Sequence, residues 1–202
     1  HPKVFAGYSD ITAFHIALNQ RCGFVTYHTI MPSTEYWEPV DPFSMGELRR
    51  ALFGGLTGVL PLPEGAVPVP LAPGRAEGVL CGGNLTLVCA SLGTPWEIDT
   101  RGKLLFLEDI GEKPRRIDAM LTQLRNAGKF ADCAGVILGA WTDCPEEEGD
   151  LPLEESFREL ILPAGKPVLA GVPCGHVLPT WSLPLGARAV LDAGAGRLEV
   201  LS

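Results

Sequence analysis

Short apolar runs alternate along this chain with segments whose apolar residues recur every three or four positions. No other feature of the sequence constrains the fold as tightly. Strand-like runs interleaved with amphipathic helices build parallel sheets, because each helix carries the chain back to begin the next strand on the same side. Residues 4–6 read as a first strand. Residues 11–20 read as a helix with apolar positions at 11, 14, 17 and 18, closed by Gly23, and residues 24–31 as a second strand stopped by Pro32. Ser44 and Glu47 have the spacing of a capping box, with Ser44 as cap, before a helix over 48–53. From 54 to 76 the pattern breaks on Gly54, Gly55, Pro61, Pro63, Pro68, Pro70 and Pro73, which predicts a linker or edge strands. Alternation then resumes. Strands are expected at 77–81, 103–107, 134–140 and 167–172. Helices are expected to open at Gly82-Gly83-Asn84 and to run over 114–127 and 153–162, with a closing hairpin from 187–192 and 197–201. The fold class is α/β: a partial α/β domain with linker over residues 1–70, then a second α/β domain with a largely parallel sheet over 71–202.

At 202 residues and 46% apolar content, the chain can bury a sizeable core. Its net charge is −8, and its longest basic runs are the pairs Arg49-Arg50 and Arg115-Arg116. Nucleic acid and anionic membrane surfaces are therefore excluded as partners, since both require clustered cations. No stretch reaches the ~20 apolar residues of a membrane helix. No signal peptide is evident, and the opening His1-Pro2-Lys3 reads as an internal starting point. Cys22, Cys81, Cys89, Cys133, Cys144 and Cys174 form no Cys-x-x-Cys, and most lie in apolar runs. They read as buried thiols in a reducing compartment, and the lack of ligand-like spacing argues against zinc.

Ser9 lies between an apolar strand and an amphipathic helix. A sharp turn there would expose its hydroxyl and set the following N–H groups, starting with that of Asp10, at a helix N-terminus able to hold an oxyanion. The competing reading is that Ser9 or Asp10 caps the helix. Gly-x-Ser-x-Gly is not matched, because Ile11 stands where the second Gly belongs. A nucleophilic serine needs a base. His1 is terminal, His15 lies six residues on and reads as structural, and His28 sits mid-strand between Tyr27 and Thr29. His176 directly follows a parallel-type strand, at the end where α/β sheets gather their chemistry, and is the best base. Glu108 and Asp109 follow the apolar run 104–107. Glu108, nearer the strand, is the better orienting carboxylate, and Asp109 the better helix cap.

Gly7-Tyr8-Ser9-Asp10-Ile11-Thr12, Gly82-Gly83-Asn84-Leu85, Leu107-Glu108-Asp109-Ile110-Gly111-Glu112 with Ile117–Leu124, Gly175-His176 and Leu183-Pro184-Leu185-Gly186 occur in this order over nearly the whole chain. Together they resemble the LD-carboxypeptidase family of serine peptidases, which includes murein tetrapeptide carboxypeptidases and microcin C self-immunity peptidases. The resemblance implies a Ser-Glu-His triad of Ser9, Glu108 and His176, with the Asp10 N–H supplying half of the oxyanion hole. The nucleophile then belongs to the first domain and the Glu and His to the second. The implied reaction cleaves an LD-amide and releases terminal D-alanine from a murein tetrapeptide in cytoplasmic cell-wall recycling. It requires no metal or cofactor, and the family relation suggests a homodimer. The expected partner is a muropeptide substrate.

Two features depart from the family pattern. Its members carry on the order of a hundred further residues, the size of a small domain, before the serine motif. They also often show His-Gly-Pro where this chain has His28-Thr29-Ile30. The alternatives are a microcin-immunity-type peptidase, for which Tyr36-Trp37 would supply the aromatic loop contact, and a non-catalytic fragment that binds a muropeptide or a protein.

Overall fold

The structure, a computed structural model, describes residues 1, 3–32 and 40–202. Tyr36 and Trp37 lie outside the described residues. The element order is β1 (Ala6–Gly7), α1 (Thr12–Ala17), β2 (Thr26–His28), α2 (Pro42–Arg49), β3 (Gly58–Val59), β4 (Val69–Ala72), β5 (Arg75–Asn84), α3 (Leu85–Ala90), β6 (Leu104–Ile110), α4 (Pro114–Asn126), α5 (Lys129–Asp132), β7 (Gly135–Thr142), α6 (Leu153–Leu160), β8 (Val168–Ala170), β9 (Leu183–Leu185), β10 (Arg188–Asp192) and β11 (Arg197–Val200).

A sheet ordered β3-β11-β10-β5-β6-β7-β8-β4 forms the centre of the molecule. Strands β5 to β8 run parallel, joined by helical crossovers, and antiparallel strands flank them on both sides. The proline-rich stretch supplies β3 and β4, the two outermost strands. Proline is tolerated there because an edge leaves one row of N–H groups unpaired. A second sheet, ordered β1-β2-β9, pairs β1 with β2 in parallel and β2 with β9 antiparallel. The run Leu183–Leu185 was not anticipated as a strand, being three residues long with a central proline.

Period-two alternation divides the core between the faces of the large sheet. Leu105, Leu107, Val136 and Leu138 pack with Leu85, Val88, Ile117, Leu121, Leu124 and Phe157 of helices α3, α4 and α6. Leu104, Phe106 and Ile137 face the other way, onto Leu80, Leu169, Trp181 and Leu183. Burying an aliphatic or phenylalanine side chain in this way contributes about 1.5–3 kcal/mol of transfer free energy. Helix α4 matches its expected span to one residue because Ile117, Leu121 and Leu124 fall on one face.

Several local expectations differ from the structure. The helix at 42–49 starts from Asp41 rather than Ser44: Pro42 stands at N1, and Asp41 Oδ1 accepts from the Ser44 N–H at 3.0 Å. Proline at N1 is favoured because its missing N–H would have no partner and its φ is already helical. Gly82 and Gly83 extend β5 instead of opening a helix, and Asn84 caps α3 by accepting from the Leu87 N–H. The reason is φ, +112° at Gly82 and +136° at Gly83. These angles turn the missing Cβ of Gly82 onto the Phe106 carbonyl of the neighbouring strand. At Gly83 a Cβ would stand 2.6 Å from Thr12 Oγ1. The two glycines let β5 run close past β6 and α1. Of the six cysteines, all unpaired, Cys22 is exposed and the other five are buried. No helix among the described residues is long and apolar enough to cross a membrane.

Candidate active site

Ser9 stands at φ +65° in the turn between β1 and α1, one of two non-glycine residues with positive φ among those described. A left-handed serine costs about 1–3 kcal/mol and persists only where the surroundings impose it. The capping reading of Ser9 and Asp10 does not hold. Tyr8 and Ile11 are the N-caps of the short 3-10 turn and of α1, and neither start carries a side-chain cap bond. The turn instead presents Ser9 at the carboxyl end of β1, with Asp10 exposed in the first helical turn. Amides in that turn have no carbonyl partner within the helix.

Glu108 and His176, 68 residues apart, meet directly. His176 Nδ1 lies 2.7 Å from Glu108 Oε2, and the His176 backbone N–H donates to the same oxygen at 3.2 Å. Glu108 is fully buried and His176 is 7% exposed. The carboxylate can only accept, so Nδ1 carries the proton and Nε2 keeps the lone pair that a base requires. Two glycines make room for this pair. A Cβ at Gly175, where φ is +124°, would stand 2.7 Å from Glu108 Oε2, and one at Gly139 would stand 3.2 Å from Glu108 Cβ. Gly139 lies in a bulge: Leu107 faces Leu138, but Asp109 faces Trp141, so β7 carries an extra residue opposite Glu108. Bulges re-aim side chains next to functional sites. Thr142 Oγ1, one residue past that facing pair, donates to the His176 carbonyl at 2.5 Å.

Asp109 serves a different purpose from Glu108 because adjacent strand residues face opposite ways. Its carboxylate accepts from Asn84 Nδ2 at 2.8 Å, from Thr86 N–H at 3.0 Å and from Thr86 Oγ1 at 2.9 Å. It therefore caps α3 from the neighbouring strand, not the helix that follows it in sequence.

Tyr8, the residue before Ser9, packs against this pair. The Tyr8 ring is 2% exposed and lies 4.5 Å from the His176 ring at 63°. Among the described residues no hydrogen bond joins Ser9 to His176. His1 is exposed, whereas Glu108 and His176 are buried. His28 is buried beneath Tyr8, edge-on to Phe106 at 5.1 Å, and neither ring nitrogen has a hydrogen-bond partner among the described residues. His15, also fully buried, bonds to Thr26 and to the Gly7 carbonyl. No group of three His, Cys, Asp or Glu residues among those described could hold a metal ion. Sequence reasoning missed Tyr8, Gly139, Gly175 and Thr142. Only the positions of Tyr8 and Gly175, next to candidate residues, could have pointed to them.

Burial pushes His15 from 6.5 down to about 4, offset in part by its bond to the Gly7 carbonyl. Burial likewise holds His28 well below the ordinary imidazole range, with His15 and His176 adding to the effect. Both folded-state values are depressed, so both contributions are fully present above pH 6.5. As pH falls from 6.5 toward 4, the unfolded chain takes up protons that the folded chain refuses, and stability declines. His15 alone is expected to cost about 3 kcal/mol by the lower end of that window. Urea unfolding at about pH 7 and about pH 4.5 measures this, and an unchanged midpoint would contradict buried neutral imidazoles at 15 and 28.

Known proteins match this chain along its length. A profile of the LD-carboxypeptidase C-terminal domain matches residues 77–191, and one of the LD-carboxypeptidase N-terminal domain matches residues 1–29. The chain is 43% identical over 199 residues to a probable murein peptide carboxypeptidase of Bacillus subtilis, covering 95% of this chain and 60% of that protein. It superimposes on the muramoyltetrapeptide carboxypeptidase of Oxalobacter formigenes with a TM-score of 0.84 at 30% identity, over 98% of this chain and 68% of that one. A structure of MccF in complex with glutamyl sulfamoyl guanosine shares the fold, with a TM-score of 0.87 at 22% identity, over 100% of this chain and 68% of that one. The chain spans 60% and 62% of the length of the first two curated relatives it matches.

Proposed function

The chain belongs to the LD-carboxypeptidase family, and from that premise we propose that it carries the triad of a serine peptidase that releases terminal D-alanine from murein tetrapeptide. Ser9 is the nucleophile, His176 the general base and then acid, and Glu108 the orienting carboxylate. The observation that supports this reading is the buried Glu108–His176 pair at 2.7 Å beside the left-handed Ser9 turn.

Ser9 Oγ attacks the carbonyl of the amide between the L-centre of diaminopimelate or lysine and the terminal D-alanine. His176 Nε2 takes the hydroxyl proton as the C–O bond forms. The oxyanion is held by the Asp10 N–H. Collapse of the tetrahedral intermediate breaks the C–N bond, and His176 passes its proton to the leaving amine. Water then attacks the acyl-enzyme by the same route, and Ser9 recovers its proton from His176. Glu108 stabilises the imidazolium formed in each half-reaction without taking its proton. The hydrogen bond from Ser9 to Nε2 is expected to close with substrate, since such bonds are often long in ligand-free sites.

The reducing setting suited to six unpaired thiols makes the cytoplasm the site of action in this reading. The homodimer and the division of the chain near residue 70 belong to the same proposal. The test is D-alanine release from a murein tetrapeptide, run beside an isomer whose penultimate centre is D. Release from the LD peptide alone supports the reading. Release from neither, with an aminoacyl nucleotide cleaved instead, would replace it with the microcin-immunity type. Binding of the tetrapeptide without release would leave a recognition domain.

A further inference from the structure

His15 follows the serine turn by six residues, and its ring bonds back to the strand that precedes that turn. Nε2 lies 3.0 Å from the Gly7 carbonyl oxygen, and Nδ1 lies 2.7 Å from Thr26 Oγ1. A carbonyl only accepts, so Nε2 bears the proton. Asn19 Nδ2 donates to Thr26 Oγ1 at 3.1 Å and also to the Leu185 carbonyl at 3.1 Å. The Thr26 hydroxyl proton is thereby free to point at His15 Nδ1. The bonds run in one direction, from Asn19 to Thr26 to His15 to Gly7, linking α1 with β1, β2 and β9.

The Gly7 carbonyl closes β1 immediately before Tyr8 and Ser9, and it accepts twice, from the Thr29 N–H at 3.1 Å and from His15. Gly7 has φ +147°, with Ile11 and Met31 side-chain atoms 2.5 Å from where a Cβ would be. The peptide entering the serine turn is thus clamped by hydrogen bonds at its oxygen and by packing at its Cα. We propose that His15 is a positioning residue, a neutral Nε2–H donor whose hold on the Gly7 carbonyl keeps Ser9 in its left-handed turn and in reach of His176. The proposal rests on the reading of Ser9 as nucleophile. Its burial, which holds His15 down at about 4, keeps the ring neutral at ordinary pH.

A ring that only filled space would be replaced well by leucine. A ring that works through its donor is replaced by glutamine, whose amide N–H reaches about as far as Nε2. The experiment compares the wild-type chain with His15→Gln and His15→Leu by two readouts. One is the intraresidue HN–Hα cross-peak of Ser9, which is strong only at positive φ. The other is the rate at which a fluorophosphonate labels Ser9. His15→Leu is expected to weaken the cross-peak and to slow labelling on the order of a hundredfold, the cost of a small misplacement, while His15→Gln stays within about tenfold of wild type. Equal losses in both variants, or no loss in His15→Leu, would overturn the proposal. If the wild-type chain is not labelled, the nucleophile reading fails, and the cross-peak comparison still decides whether His15 holds the turn. Should His15→Leu not fold, ring ¹⁵N shifts of the wild-type chain decide. A neutral Nε2–H tautomer supports the proposal, and an Nδ1–H tautomer or an imidazolium at neutral pH overturns it.

Discussion

Ser9→Ala is expected to lower D-alanine release by about 10⁶-fold, as large a loss as removing the whole triad, because its members act as one unit. The substitution deletes one oxygen. The Glu108–His176 pair, the Tyr8 packing against His176 and the Gly7 anchor are all made by other atoms, so the fold should survive it. Alanine is no easier than serine to hold at φ +65°. The stability change should therefore stay within about 1 kcal/mol. What remains of the rate would come from binding and the oxyanion site alone. A coupled assay for free D-alanine, with thermal unfolding as control, measures both. Release that survived Ser9→Ala undiminished in a folded chain would remove Ser9 from the mechanism.

Glu108→Gln is expected to cost about 10⁴-fold in kcat, with KM nearly unchanged. Oε2 accepts two N–H groups from His176, one from the ring and one from the backbone. Glutamine is close in shape but offers two poor choices there. With its amide oxygen in that position, the geometry survives without the charge that stabilises the imidazolium. With its NH₂ group there, two donors face each other, and the ring must move its proton to Nε2, which then cannot accept from Ser9. Room to escape is scarce, since the backbone at Gly175 and Gly139 packs close against the side chain. The fold should tolerate the change, because an amide is cheaper to bury than a carboxylate. A loss smaller than about tenfold would show that His176 does not depend on a charged partner.

The two carboxylates at 108 and 109 illustrate how much of this site could be read in advance. Their place after an apolar run pointed to the end of a buried strand, with Glu108 nearer to it, whereas β6 runs on to Ile110 and holds both residues. The structure supplies the physical cause: Leu104, Phe106 and Glu108 share one face, while Asp109 turns to α3. His15 was legible as a histidine off the reacting face but not as a donor to Gly7. The same ring also bonds to Thr26 of β2, which lies beside β1 only in the folded sheet. The capping-box spacing of Ser44 and Glu47 points to too late a start, because Asp41 as cap and Pro42 at N1 already begin the helix.

By itself the sequence determined the alternation of strands and helices, and it marked the proline-rich stretch as a linker or a set of edge strands. Periodicity and strong local signals encode these, and each is a property of neighbouring residues. The tertiary structure alone decided the bulge that aims Glu108 at His176, the glycine contacts at 139 and 175, the pairing of β9 with β2, and the Asn19–Thr26–His15–Gly7 bonds. The bonds of Asn19 to Thr26 and to Leu185 alone span 7 and 166 residues of sequence, and no local pattern carries the distance between atoms that meet only when the sheets form.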